Sequence, residues 1–374
     1  MSLTSANSDD PLHLQVAERI KGLIARKHAP GDVLPPYVAL AREFGVGLVT
    51  VKRAMDVLAA AGIVTPIRRR GTVVNRHIRP GETRLRRAGL VTGSTLAGLF
   101  DSRRLSEICG GLCAGIDALH ADLRIFPARR PGGVAAPEVV IGAGADGVIL
   151  LDVRDAGHVA AFAGRDVPLV VLDHRLGDLA LDYVVRDNAA AAAAVVEHLV
   201  SLGHDRIAYV EVAAPAADDS NRVERREAFA AAMGASLPSA PAPVLTYTRR
   251  RGGPLPEGLL DEMTTALRSG PEAPSAAVTD EQTTAARLIA HMTERGIRVP
   301  ADISVAAVAA AGMAEPDVPP LTCCRFDFHA MGARGAELLA LRTHTPRPDR
   351  PNVERVRPQL HVGKTAAPHR KKGS

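Results

Sequence analysis

The chain has 374 residues, 46% of them hydrophobic, 23% charged and 3% aromatic, with a formal net charge of +5. That is enough apolar material for two or three domain cores and too much for an intrinsically disordered chain. No run approaches the roughly 20 apolar residues of a membrane span, and the opening MSLTSANSDDPLHL has neither the cationic start nor the apolar core of a signal peptide, so a cytoplasmic chain with no membrane partner is expected.

The charge is unevenly spread: residues 1–87 hold 15 Lys and Arg against 7 Asp and Glu, which leaves the rest mildly acidic. A basic end on a near-neutral body is the electrostatic footprint of a small nucleic-acid-binding head. The four cysteines, Cys109, Cys113, Cys323 and Cys324, form neither a C-x-x-C pair nor a Cys/His ligand set, so reduced, packed thiols and no metal are expected.

Residues 1–10 are polar and expected to be unordered. After Pro11 a helix over about 12–27 carries Leu12, Val16, Ile20, Leu23 and Ile24 on one side. Ala39, Leu40, Ala41 and Phe44 then give a second apolar face, which Gly45 ends by tolerating a left-handed conformation. A third helix buries Val51, Ala54, Met55 and Leu58, projects Thr50, Lys52, Arg53 and Asp56 elsewhere, and stops at Gly62. Two helices joined by a short Gly-containing turn, the second with hydroxyl and cationic groups near its start, form a helix-turn-helix. Ile63-Val64-Thr65 and Thr72-Val73-Val74 read as a hairpin whose tip is Arg68, Arg69, Arg70 and Gly71. Three adjacent guanidiniums repel one another, and phosphates or a minor groove would neutralise them.

With LHLQVAERIKGLI, PGDVLP, LAREFGV, TVKRAMDVLAAAGIV and RRRGTVV, residues 11–76 resemble the GntR-type winged helix-turn-helix. The resemblance implies binding to double-stranded operator DNA, with Thr50 and Lys52 at matching contact positions; Tyr37, Arg53 and, at the wing, Arg68, Arg69, Arg70 and Thr72 are the other candidate contacts. The chain departs from that family where it usually carries two arginines, at Val38 and Leu48, beside Pro36, Tyr37 and Gly47. Either an altered operator preference or weaker binding follows.

Residues 77–87, basic and interrupted by Pro80-Gly81, read as a linker. From Ala88 short apolar runs (AGLVTG, DLRIF, DGVILL, PLVVLD, RIAYV, PVLTYT, AAVTD, ISVAAV) alternate with helices over 103–119, 188–202, 221–233, 257–268, 282–295 and 328–341. Strands of continuous apolar character are buried on both faces, which predicts parallel sheets covered by helices. About 280 residues of this pattern exceed one sheet, so an α/β body of two doubly wound lobes over 88–363 is expected, with a cleft at the carboxyl ends of the strands and a disordered basic tail over 364–374.

VPLVVLDHR, YVVRDNAAAAAAVVEHLVSLGHDRIAYV, RREAF, GIRVPADISVAAV and PPLTCCRFDFHAMGARGAELL resemble the LacI/GalR-type effector domain, a relative of periplasmic sugar-binding proteins, over about residues 86–365. The resemblance implies effector contacts at Phe100 and Asp101 after the first strand, Asp152 after DGVILL, Arg225, Tyr247 and Asp280. Where that family usually has Gly-Phe-Asp-Asp after ISV, this chain has Ala307-Val308-Ala309-Ala310. No G-x-S-x-G, P-loop or dinucleotide fingerprint occurs, so neither catalysis nor a cofactor is expected. The expected function is a homodimeric, ligand-responsive regulator, a repressor whose effector is sugar-like or nucleoside-like. The alternative is a small-molecule binding protein with a vestigial DNA-binding head.

Overall fold

The computed structural model describes residues 11–60, 63–67, 70–75, 85–130, 132–213, 220–248, 255–270, 272–310 and 319–369. Expectations for residues 1–10, Gly62, Arg68, Arg69, most of the linker and the last five residues lie outside this set.

The head consists of α1 (Leu12–Lys27), α2 (Tyr37–Phe44), α3 (Leu48–Ala60), β1 (Val64–Ile67) and β2 (Gly71–Val74). Gly45 ends α2 at φ 67°, its N–H returned to the carbonyls of Ala41 and Arg42. Val16, Ile20, Leu23 and Ile24 of α1, Leu40 of α2, and Val51, Ala54, Met55 and Leu58 of α3 close one core; Leu12, expected there, is exposed. β1 and β2 pair antiparallel from Val64 opposite Val74 to Ile67 opposite Gly71, which is the wing.

The first lobe begins with β3 (Arg87–Thr92), α4 (Leu96–Asp101), α5 (Arg103–Ala118), β4 (Asp122–Phe126), α6 (Pro137–Gly142), β5 (Gly147–Leu151), α7 (Ala156–Ala163), β6 (Leu169–Leu172) and β7 (Asp182–Arg186). The second follows with α8 (Asn188–Ser201), β8 (Ile207–Ala213), α9 (Ser220–Ser236), β9 (Val244–Thr248), α10 (Glu257–Arg268), β10 (Ala276–Thr279), α11 (Gln282–Glu294), β11 (Ser304–Ala310) and β12 (Thr322–Arg325). The chain then returns to the first lobe for α12 (Phe328–Arg342) and β13 (Asn352–Val356), and to the second for β14 (Gln359–His361). Three crossings therefore join the lobes.

The first sheet runs β13-β7-β6-β5-β3-β4, all parallel; the second runs β14-β12-β11-β10-β8-β9, parallel except for β12 with β14. Strand order reverses between β3 and β5 in one sheet and between β8 and β10 in the other. Such switch points open a crevice at the carboxyl ends of the strands, where a ligand fits.

Two boundaries differ from the sequence reading. Leu85, assigned to the linker, is buried in the first lobe's core, so that lobe starts earlier. Residues 364–369, assigned to a tail, belong to the second lobe: Thr365 is fully buried, gives its hydroxyl to the Val305 carbonyl and accepts from the Thr322 N–H, and His369 stacks on His204. Polar hydrogen bonds rather than an apolar period hold this segment. Cys113, expected to be packed, is exposed.

Candidate nucleic-acid interface and ligand cleft

On the head, Lys52 and Arg53 are exposed one turn into α3, with Thr50 half-buried beside them. Arg70 is exposed at the wing tip. Thr72, expected to contact DNA, is buried and donates its hydroxyl to Tyr37 Oη at 3.4 Å, tying the wing to the start of α2. It is therefore packed behind the head's surface rather than exposed on it. Val38, Leu48 and Val49 stand in water at the starts of α2 and α3.

Between the lobes lies a cleft of about 1750 Å³. Its first-lobe wall includes Ser94, Asp152, Arg154 and Arg175, and its second-lobe wall is the first turns of α9, with Asn221 and Glu224. Asp152 follows β5 in a left-handed conformation, φ 55°, accepting from Ser94 Oγ at 2.5 Å and from Arg154 Nε at 3.0 Å. Burial would raise this carboxyl, but Arg154, Arg104 and the Ser94 hydroxyl outweigh it and hold it below the usual range.

One strand over, Asp173 follows β6 at φ 70° and is fully buried. It pairs with Arg104 at the start of α5 and with Arg186 Nε at 2.9 Å. These guanidiniums, with His174, overcome burial and keep the carboxylate well below its ordinary value. Its backbone carbonyl accepts from Asn221 Nδ2 at 2.7 Å, across the cleft, and Asn221 also meets His174 Nδ1 at 3.1 Å. Asn188 Nδ2 bridges Asn221 and Glu224, and Arg355 pairs with Glu224 at 2.9 Å. Polar groups from both lobes thus meet behind the cleft. Left-handed backbone at two neighbouring non-glycine residues costs free energy and is tolerated where the surroundings fix it, commonly at ligand sites.

In the second lobe Asp280 follows β10 as Asp152 follows β5. It is buried and accepts from the N–H groups of Glu281 at 2.8 Å and Val212 at 3.3 Å. Burial and the Glu281 charge push its carboxyl up to about 7 against the pull of Arg225. Arg225 is buried on α9 with Nη2 3.5 Å from Glu281. Beside it, fully buried Glu211 accepts from Arg222, Arg226 and Thr246.

Of the six expected effector contacts, Asp152 lines the cleft, whereas Arg225 and Asp280 are buried in the second lobe outside its lining. The other three stand elsewhere. Phe100 and Asp101 are exposed on α4, and Tyr247 packs half-buried with the Leu260 and Met263 core under α10. An aromatic ring after a strand faced outward or into the core, not inward to a ligand. Sequence reasoning missed Asp173, Arg104, Arg186 and Asn221 as a group; VLDHR and VVRDN carry Asp173 and Arg186, but neither segment points to Arg104 or Asn221. Among the described residues no cluster of three His, Cys, Asp or Glu could hold a metal ion, and no helix is long and apolar enough to cross a membrane.

Residues 12–74 match the model for bacterial regulatory proteins of the gntR family, and residues 196–366 match that for the periplasmic binding protein-like domain. The chain joins a gntR-family head to a periplasmic-binding-protein-like body. The head is similar to the mannosyl-D-glycerate transport/metabolism system repressor MngR of Escherichia coli (strain K12), 46% identical over 68 residues, 18% of this chain and 28% of that protein. The arabinose metabolism transcriptional repressor of Geobacillus stearothermophilus is 24% identical over 339 residues, 88% of this chain and 90% of that one. A LacI family transcriptional regulator from Enterococcus faecium with bound ribose shares the body's fold, with TM-score 0.59 and 18% identity over 76% of this chain and 100% of that one.

Proposed function

We propose that the chain is a ligand-responsive transcription regulator, a repressor that binds operator DNA as a homodimer and whose effector is a small, hydroxyl-rich, sugar-like molecule held in the cleft. The observation that carries this reading is a physical link between head and body: Lys21 Nζ of α1, buried, lies 3.2 Å from His344 Nδ1 just past α12. From there α12 packs along α5, the N-terminal end of α5 is tied by Arg104 to Asp173, and His174 beside it comes within 3.9 Å of Asp152 in the cleft. A ligand that shifts the lobes would act on the head through this chain of contacts.

The effector class rests on the lining. Among the described residues the cleft wall carries carboxylates, guanidiniums, hydroxyls and glycines, with the His158 imidazole but no Phe, Tyr or Trp ring. Such a wall suits hydroxyl groups better than a stacked base, which favours the sugar over the nucleoside reading. The relative named for arabinose metabolism and the neighbour holding ribose support the same choice.

Fluorescence anisotropy with the DNA flanking the chain's own gene tests the proposal. The expected result is a steep fall of log K with log salt, a preference of at least about 10³ over unrelated duplex, and a shift of about 5–150-fold on adding arabinose, ribose or a related sugar. Equal binding to every duplex would favour a binding protein with a vestigial head. A sugar that binds without changing operator affinity would sink the coupling.

A further inference from the structure

We propose that the head reads its operator largely through thymine methyl groups, with Leu48 and Val49 at the start of α3 and Val38 at the start of α2 as the reading side chains. This rests on the regulator reading above and says which bases the head prefers.

Val49 is 68% exposed, Val38 53% and Leu48 51%. Helix phase explains why: Leu40 on α2 and Val51, Ala54, Met55 and Leu58 on α3 fill the core, and these three point away from it. A lone exposed Leu or Val needs no explanation, but position changes the weight here. The first residues of the second helix of a helix-turn-helix are those that meet base edges when the helix enters the major groove. In that groove the C5 methyl of thymine is the one apolar group, while guanine offers only acceptors. Leu and Val carry no donor, so against guanine they would strip water from its acceptors with nothing in return. Against a thymine methyl they bury apolar area on both sides.

The surroundings favour DNA as the occupant of this face. Lys52 and Arg53 stand exposed just beyond Leu48 and Val49, with Arg42 on α2 and Arg70 on the wing; Glu43 and Asp56 are the exposed acids on the same two helices. A polyanion would pair with this cationic surround, whereas an apolar protein face would leave it desolvated. Gly47, immediately before α3, has nothing within 4 Å of where a Cβ would stand, so the helix start is open to close approach. Thr50 adds a methyl and a hydroxyl next in line.

The full-length protein is tested with a pool of random-centre duplexes, from which bound sequences are enriched and read. Enriched duplexes should place thymines at fixed positions in each half-site. Replacing those thymines with uracil, which deletes only the methyl, should weaken binding about fourfold per contacted base, the factor that one buried methyl corresponds to, with the salt slope unchanged. The variant carrying Leu48→Ala and Val49→Ala should lose the preference for thymine over uracil while keeping its salt-dependent binding to unrelated duplex; its melting temperature checks that the head is folded. Equal affinity for thymine and uracil duplexes overturns the inference and leaves the regulator reading standing. So does a variant that still distinguishes them. Failure to enrich any sequence overturns both. If the variant instead loses self-association while its base preference is unchanged, the face belongs to a second copy of the chain and the inference is likewise wrong.

Discussion

Replacing Asp173 with Asn removes one charge from the most buried ionic group of the first lobe. Asp173 is fully buried, and its partner Arg186 is nearly so, in an ion pair at 2.9 Å. Breaking a buried pair by deleting one partner costs about 3–5 kcal/mol, because the other charge stays buried without compensation. Arg104 is partly in water and can be screened; Arg186 cannot. Asn retains a carbonyl acceptor, so the low end of that range, about 3 kcal/mol, is expected, or roughly 6–12 °C in melting temperature for a lobe of this size. Urea unfolding at pH 7 measures it. The double variant Asp173→Asn, Arg186→Met should recover most of the loss, since an apolar side chain leaves no stranded charge. The carboxyl's pKa is depressed in the folded chain, so its stabilising contribution is present above about pH 4, the value of an unperturbed Asp, and fades as pH falls further. The deficit of Asp173→Asn should therefore be constant from pH 5 to 8 and shrink in acid. A loss under about 1 kcal/mol at neutral pH, or no recovery in the double variant, would refute this account of the hub.

Asp280 has the opposite sign. Its folded value, about 7, lies above that of the unfolded chain, so its contribution is full below about pH 4 and is lost as pH rises through 7. The stability of the native chain relative to Asp280→Asn should fall by on the order of 2–4 kcal/mol between pH 5 and 8 in urea titrations; parallel profiles would show that the buried carboxyl is not held neutral. At the contact of α5 with α12, Gly332→Ala would place a Cβ 2.0 Å from the Ile108 carbonyl oxygen and 2.6 Å from the Leu112 nitrogen. The two helices must move apart, at a cost of about 1–3 kcal/mol or more. Gly110→Ala, whose Cβ would meet only the His329 ring at 3.7 Å, should instead stabilise by about 0.5–1 kcal/mol through helix propensity, and thermal melts of the two variants check the ranking.

What the sequence revealed was whatever repeats an apolar period. The 3–4 spacing of Val51, Ala54, Met55 and Leu58 and the glycine at position 45 specify α3 and its turn. The runs GVILL and LVVL could only be buried strands. Elements lacking that signature were missed: β13 (NVERV) is a half-polar edge strand, β12 is four residues with two cysteines, and α7 is short and depends on Asp155 accepting from the His158 N–H at 2.9 Å. Resemblance pointed to Asp152, Arg225 and Asp280 because each sits at a fixed point relative to a strand or helix, and of the three Asp152 lines the cleft. The Arg104–Asp173–Arg186 group was illegible, because its members come from α5, the end of β6 and β7, and only the folded sheet brings residues 69 positions apart into contact.

The tightness of the α5–α12 pair bears on how a signal could cross the first lobe. Gly111 faces the His329 carbonyl and Gly332 faces the Ile108 carbonyl, each closer than any Cβ would permit, so the two helices touch backbone to backbone with no deformable side chain between them. Close-packed contacts of this kind do not compress; a displacement at one end is passed on rather than absorbed. One end of the pair is held by Arg104 on Asp173, next to the cleft, and the other leads to His344 and the buried Lys21 of the head. In the proposed function, lobe movement that shifts Asp173 would therefore carry α5 and α12 as one body and reposition α1. A longer side chain at position 111 or 332 would loosen that unit, which predicts that Gly332→Ala weakens the effector's influence on DNA affinity more than it weakens effector binding. The two affinities, measured on the same folded variant, separate lost transmission from a damaged cleft; loss of both in equal proportion would place the fault in the cleft and argue against α5 and α12 as the route.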